Sequence, residues 1–467
     1  MPHSPSPAPS AAAPSPAVPA ADGLPVPQRY WAMAAMTAAL VMAVLDGVVA
    51  TMALPTIQRE FAIDAAQSIW VVNAYQIAVT ISLFPLASLG DILGYRRVYW
   101  GGLAVFTVAS LACALADSLP LLTAARVLQG LGGAGIMSVS LALVRHIYPT
   151  AQLGRGVGYN ALIVAVTTAA GPSVAALILS VASWPWLFAV NVPIGLAALA
   201  VAAKALPHSP RSVHSFDTAG AALNALTLGL AILGFKGLDG SQPHWMTGLE
   251  LGGALAFGVA LVRRGLSQAA PLLPVDLLRR PVFALSVVTS VCSFAAQNIA
   301  FVALPFFFED VLGRSQGDTG LLMTPWPVAV ALVAPLAGRL ADRYEPSLLS
   351  GAGLALFAAG LALMGTLPAD PAFWDVAWRM ALAGLGFGLF QTPNNKVLVS
   401  SAPKERSGGA SGIQATGRLL GQTLGAAAVG LLFSGLGKAD GTVWSMALGA
   451  GLCLVACLTG SLRRRVR

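Results

Sequence analysis

Residues 31–53 read WAMAAMTAALVMAVLDGVVATMA. Asp46 is the one charged side chain in these 23 residues. A run of about 20 apolar residues makes a helix long enough to cross the roughly 30 Å hydrocarbon layer of a bilayer. A carboxylate set two-thirds of the way along such a helix costs at least ~2.5–3.5 kcal/mol, so it is retained where it faces a cavity or a partner and acts. The stretch therefore carries a fold class, an all-α integral membrane protein, and a candidate working group, Asp46.

The rest of the chain repeats the pattern. Over 467 residues, 56% are hydrophobic and 10% charged, with a mean hydropathy of +0.75. A water-soluble domain carries about a quarter charged residues, so this chain cannot cover a solvated surface. Apolar windows of spanning length follow at 67–89, 97–117, 121–144, 157–180 and 184–204, then at 216–236 and 245–263. Six more lie at 282–306, 318–340, 346–367, 375–398, 410–433 and 441–461. About fourteen transmembrane helices are expected. Residues 1–29, rich in Pro, Ala and Ser, read as a disordered tail, and 463–467 as a short basic tail.

The net charge of +8 sits in short polar gaps, with no basic stripe and no interleaved aromatics, which argues against nucleic acid. With the N-terminus placed inside, the tails and even-numbered connections hold about twenty Lys/Arg. The opposite loops hold about four: Arg59, Lys236, Arg314 and Lys438. Cytoplasmic loops carry the basic excess, so both termini are expected in the cytoplasm and the chain in the inner (plasma) membrane. The four cysteines (Cys113, Cys292, Cys453, Cys457) lie inside apolar windows without metal or redox spacing.

The two ends of the chain echo each other. Asp91, Gly94, Arg96 and Arg97 follow the second window, and Asp342 with Arg343 follows the tenth. Arg126-Val-Leu-Gln-Gly130-Leu-Gly132 opens the fourth window, and Arg379-Met-Ala-Leu-Ala-Gly384-Leu-Gly386 the twelfth. Two six-helix halves, 30–206 and 266–462, with two helices inserted at 207–265, account for both echoes. Parallel halves of this kind place a substrate path between them.

With these motifs in order, the chain resembles the major facilitator superfamily, in its fourteen-spanner drug:proton antiporter branch. The turn at 87–97 is similar to the signature loop between spans two and three. Residues 45–55, beginning Leu45-Asp46, resemble the acidic motif of span one, and Arg126 to Ala134 the span-four motif. Ala170-Gly171-Pro172, followed by Trp184 to Gly195, resembles the antiporter motif and the start of span six. Departures occur at Thr51, Ala87, Ile92, Ala175, Ala176 and Pro185. The resemblance implies a 6+2+6 bundle that exports amphipathic, often cationic or aromatic, small molecules in exchange for protons, with the proton gradient as energy source and neither cofactor nor metal.

Asp46 and Arg126 are then the expected proton-coupling pair, since span one runs outward and span four inward, to a similar depth. Asp91, Gly94, Arg96, Arg97, Asp342 and Arg343 are expected to gate the cytoplasmic side. Gly130, Gly171 and Pro172 allow close helix contact and a bend. Gln297, Asn298, Gln391, Asn394 and Arg418 are polar groups in the second half that either line a substrate path or join helices. Expected partners are a small-molecule substrate, protons and the bilayer, with the chain reading as a monomer. Proton symport or uptake of a polar metabolite is an alternative, and a non-transporting sensor another. Enzyme chemistry is disfavoured, because no acid/His cluster shares a face and no phosphate-binding G-x-x-x-x-G-K-[ST] loop occurs.

Overall fold

The computed structural model describes residues 22–463, apart from 210, 213, 238–241, 269, 270 and 369. Thirteen long helices make up the described chain: α1 Val26–Phe61, α2 Trp70–Leu93, α3 Tyr95–Ala114, α4 Leu119–Ile147, α5 Leu153–Val181 and α6 Asn191–Ala205 form the first half. The inserted pair is α7 Thr218–Gly237 and α8 His244–Leu266. The second half holds α9 Pro281–Phe306, α10 Pro325–Arg343, α11 Pro346–Met364, α12 Phe373–Ser401 and α13 Ser407–Leu462.

Prolines decide several boundaries. Pro27, in the first turn of α1, loses no helical hydrogen bond there. The window expected at 318–340 is broken into Gln316–Met323 and α10, which begins at Pro325. The one expected at 184–204 is split into Trp186–Ala189 and α6. Between α2 and α3 the chain turns on Gly94, whose φ of 96° suits a residue without a Cβ.

Three differences from expectation concern ends and breaks. The N-terminal tail is ordered from Asp22: its carboxylate accepts from the Thr150 amide (2.9 Å) and hydroxyl (3.0 Å), and α1 begins at Val26 rather than near 30. Those bonds, the Thr150 amide first, hold the Asp22 carboxyl below its ordinary pKa. Residues 1–21 lie outside the described part. At the other end, Arg463 is no tail residue. It is fully buried and donates to Ser286 Oγ (3.0 Å) and Asn394 Oδ1 (2.8 Å), because an ion there finds polar partners on two helices; 464–467 lie outside the described residues. The loop expected at 434–440 is helical, and α13 runs for 56 residues with one non-helical residue, Gly437 (φ 75°).

That single glycine reverses the chain. Before it, Gly421 and Gly425 pack on Val291 and Ala295 of α9. After it, Gly449 lies against Ala296, and Thr459 bonds Thr289 at 3.1 Å. The first limb thus runs along α9 and the second runs back. Among the described residues, eleven helices, α13 counted once, are long and apolar enough to cross a membrane, against the fourteen expected.

Each half has its own core. In the first, Tyr99, Phe106 and Val139 are buried together; in the second, Trp326, Phe357 and Phe387 meet edge to face or tilted. The helices match across the halves. A Cβ at Gly132 of α4 would sit 2.7 Å from the Gly102 carbonyl of α3, and one at Gly386 of α12 would sit 2.7 Å from the Gly353 carbonyl of α11. Gly130 lies against the Tyr75 carbonyl of α2 as Gly384 lies against the Trp326 carbonyl of α10. The halves join by α2 on α13 and by α5 on α10. The inserted pair packs on itself and on α2, where Asn224 donates to the Ile81 carbonyl at 2.8 Å.

Candidate functional site

Asp46 on α1 and Arg126 on α4 meet as an ion pair, with side chains 1% and 0% exposed. The pair is held on every side. Asp46 Oδ1 accepts from Gln129 Nε2 at 2.7 Å, and that amide also donates to Ser110 Oγ at 2.9 Å. Arg126 donates through Nη1 to Gln129 Oε1 (2.6 Å) and through Nε to the Val71 carbonyl (2.9 Å). Its guanidinium lies over the Tyr75 ring, 4.4 Å from the centroid, and 5.4 Å from that of Phe188. A buried ion pair is tolerable when hydrogen bonds satisfy its spare atoms, and here all but Arg126 Nη2 are satisfied.

Gln129 and Tyr75 escaped the reading of the sequence. Gln129 lies three residues after Arg126, on the same face of α4, and that spacing was the available signal. Nothing local marks Tyr75.

Tyr75 also faces a cavity of about 630 Å³ between the halves. Ala43 and Val79 line it midway along their helices; Asn73 of α2, Phe235 of α7 and Leu431 of α13 line it toward one end. Tyr75 donates to the Ala43 carbonyl at 3.1 Å, so one ring covers Arg126 and walls the cavity at once. Of the expected path residues, Asn298 lines this cavity and donates to the Gln422 carbonyl at 2.7 Å. Gln297 and Gln391 are half-buried and lie outside the lining. Arg418 is half-buried on α13, one turn before Gln422. Asn394 joins helices instead: it donates to Ser290 Oγ (2.7 Å) and accepts from Arg463.

The opposite end of the bundle is shut. Asp91 Oδ1 accepts from the Gly408 amide (3.0 Å) and from Tyr95 Oη (2.8 Å). Asp342 Oδ1 accepts from the Gly154 amide (2.8 Å) and Lys396 Nζ (2.7 Å), and its Oδ2 from the Arg155 amide (3.2 Å). Each acid ends the second helix of one half and binds the first turn of the fifth helix of the other, where unpaired amides and the helix dipole favour a negative charge. Arg145 adds bonds to Ser407 Oγ (2.8 Å) and the Ala402 carbonyl (2.9 Å).

Of the residues expected at the gate, Arg96, Arg97 and Arg343 do not pair with either acid. Arg96 turns to the Ala203 carbonyl and His208, Arg97 is exposed, and both line a separate recess with Arg211. Arg343 is also exposed, and Lys396 is the cation on Asp342. Gly94 supplies the turn that brings Asp91 and Tyr95 together. Gly130 is packed against α2. Gly171 is buried within α5, and the helix runs on without a break through position 172.

A family model described as Major Facilitator Superfamily matches residues 35–426 and 286–467. The chain belongs to the major facilitator superfamily. This major facilitator is 53% identical over 445 residues to the uncharacterized transporter YebQ of Escherichia coli (strain K12), covering 95% of this chain and 97% of that one. It is 33% identical over 396 residues to the multidrug resistance protein Stp of Mycobacterium tuberculosis (strain CDC 1551 / Oshkosh), covering 84% of this chain and 73% of Stp. The human organic anion transporter MFSD10 shares the fold, with a TM-score of 0.69 at 14% identity over 92% of this chain and 99% of that one. The protein is a multi-pass secondary transporter of the membrane, not an enzyme, and its family implies a small-molecule substrate.

Proposed function

We propose that this major facilitator is a proton-coupled antiporter exporting amphipathic small molecules by alternating access. The observation that carries the reading is the sealed Asp46–Arg126–Gln129 cluster with Tyr75 as the wall between it and the cavity. Asp46 as a carboxylate needs Arg126; once protonated it releases the guanidinium and keeps only hydrogen bonds. A substrate in the cavity presses on Tyr75, which lies on Arg126. Proton and substrate thus bear on one ion pair from opposite sides, the arrangement that exchange requires. The name of the Stp relative, a multidrug resistance protein at 33% identity, supports export.

In this reading fourteen segments cross the membrane: the eleven, the 29-residue α5 and α12, and the second limb of α13. The basic excess of the even-numbered connections supports a cytoplasmic Asp91–Asp342 end and cytoplasmic termini, with the cavity facing outward. Each proton entering down about 100 mV supplies ~2.3 kcal/mol.

Everted vesicles with an imposed pH gradient provide the test. Export of a susceptible drug should collapse with the gradient and vanish in Asp46→Asn, while the variant still inserts in the membrane. Accumulation indifferent to the gradient, or full export by Asp46→Asn, would sink the reading.

A further inference from the structure

Among the described residues one cation inside the bundle, Arg418, has neither a counter-charge nor a hydrogen bond. Arg126 is matched by Asp46, Arg379 by Asp375 and Lys396 by Asp342. Arg418, on the limb of α13 that packs against α2 and α4, has neither an ion pair nor a hydrogen bond among the described residues, and its Nε is buried without an acceptor. Its charge acts on Tyr75, the cavity wall, from the α13 side. Gln422, one turn on, lines the cavity, as does the neighbouring Leu419.

An unmatched guanidinium inside a membrane bundle is expensive, and a structural role would give it an acceptor, as it does for Arg126, Arg379 and Lys396. Arg418 has none among the described residues, and it shares a helix face with Gln422, which lines a space of about 630 Å³, although Arg418 itself stands behind that lining. The rest of that lining offers Tyr75 and Phe235 as aromatic faces and Asn73, Gln76 and Asn298 as neutral polar groups, with no carboxylate among the described residues. A cationic substrate would meet one positive charge and no negative one.

We infer that the transported substrate is an organic anion of amphipathic, aromatic character, whose carboxylate or comparable acidic group pairs with Arg418 while its ring packs on Tyr75. The inference rests on the reading of the cavity as the substrate site, and it replaces the cationic preference expected from the family resemblance. A guanidinium takes a carboxylate in a two-pronged, charge-assisted pair that an amide or ammonium cannot reproduce.

Three matched probes test it: 2-naphthoate, 2-naphthamide and 2-naphthylmethylammonium, titrated at pH 7 onto the full chain in nanodiscs of neutral lipid. The wild type should bind the carboxylate at least about tenfold more tightly than the other two. Arg418→Gln, which removes an unmatched charge and should fold at least as well, should erase that preference, and Arg418→Glu should transfer it to the ammonium. Arg418→Lys should keep the sign with weaker binding. Equal affinity for the three probes, no binding of the carboxylate, or a preference untouched by Arg418→Gln would overturn the inference. No gradient is present in these titrations, so their failure leaves Asp46-dependent export standing, and a loss of coupling leaves the binding preference standing.

Discussion

Asp46 uses both carboxylate oxygens, one on Arg126 and one on Gln129, so changing it does more than remove a proton site. Asp46→Asn strands a fully buried guanidinium, and breaking a buried pair from one side costs ~3–5 kcal/mol. Removing both charges should restore most of that. Asp46→Asn should therefore lower the thermal midpoint of the purified protein, Asp46→Asn/Arg126→Gln should bring it back, and neither should export. A double variant as unstable as the single one would show that the pair's geometry, not its charge, holds α1 to α4. The two ions were legible in the sequence, since a lone acid and a lone base deep in apolar windows each demand a partner. Gln129 was not, because a neutral amide in a helix carries no such demand. The unmatched state of Arg418 was beyond reach for another reason: whether a partner exists depends on residues hundreds of positions away.

Among the elements, α4 depends on its glycines. With the Gly102 carbonyl 2.7 Å from where a Cβ at Gly132 would stand, the obstacle is backbone that cannot rotate away. Gly132→Ala should destabilise by ~1–3 kcal/mol, the usual cost of overpacking. Gly101→Ala, with nothing within 4 Å of its Cβ position, should be neutral; a thermal melt of the two compares them directly. The inserted pair is clasped at its base by Asp217, which accepts from Arg264 Nη2 at 2.9 Å. Burial pushes the Asp217 carboxyl up, but the hydrogen bonds from Arg264 and the Gly220 amide outweigh it and hold its pKa below 3.8. A depressed folded-state pKa gives stability that is present above 3.8 and lost as pH falls through the folded value. Hydrogen exchange at residues 218–222 should hence be flat from pH 7 to about 4, after correction for intrinsic rates, and rise in Asp217→Asn at every pH. The windows of the sequence located these helices to within a few residues. They missed the breaks at Thr324 and Val190 and the one-residue reversal at Gly437, since hydropathy averages over the residue that turns.

At the scale of the molecule, the halves are fastened at one end by two equivalent carboxylates, Asp91 on the Gly408 amide and Asp342 on the Gly154 amide. Freeing either should populate the state open at that end. In a cysteine-free background, spin labels at Arg97→Cys and Arg339→Cys should report longer distances in Asp91→Ala and in Asp342→Ala, and the longest in the double variant. Unchanged distances would mean the helix packing alone keeps that end shut. The echo of the two acids was visible in the sequence, but their partners were not: Gly408 is 317 residues from Asp91, and only the folded pairing of α2 with α13 joins them. The repeat also ends unevenly. Gln297 follows Asp46 at the same spacing as Asp342 follows Asp91, so the second half carries a neutral amide where the first carries its titratable group. In the proposed cycle one half takes the proton, and the other, with Arg418, takes the anion.

That division sets the electrical output of the cycle. A proton moving inward and an organic anion moving outward carry current in the same sense, two elementary charges per turnover. At ~2.3 kcal/mol per charge per 100 mV the membrane voltage alone supplies about 4.6 kcal/mol, a solute gradient on the order of a thousandfold. In the proposed cycle the transport is electrogenic and runs on voltage. In proteoliposomes clamped with a potassium diffusion potential and no pH difference, export should proceed against the anion's gradient and stop when the potential is shorted.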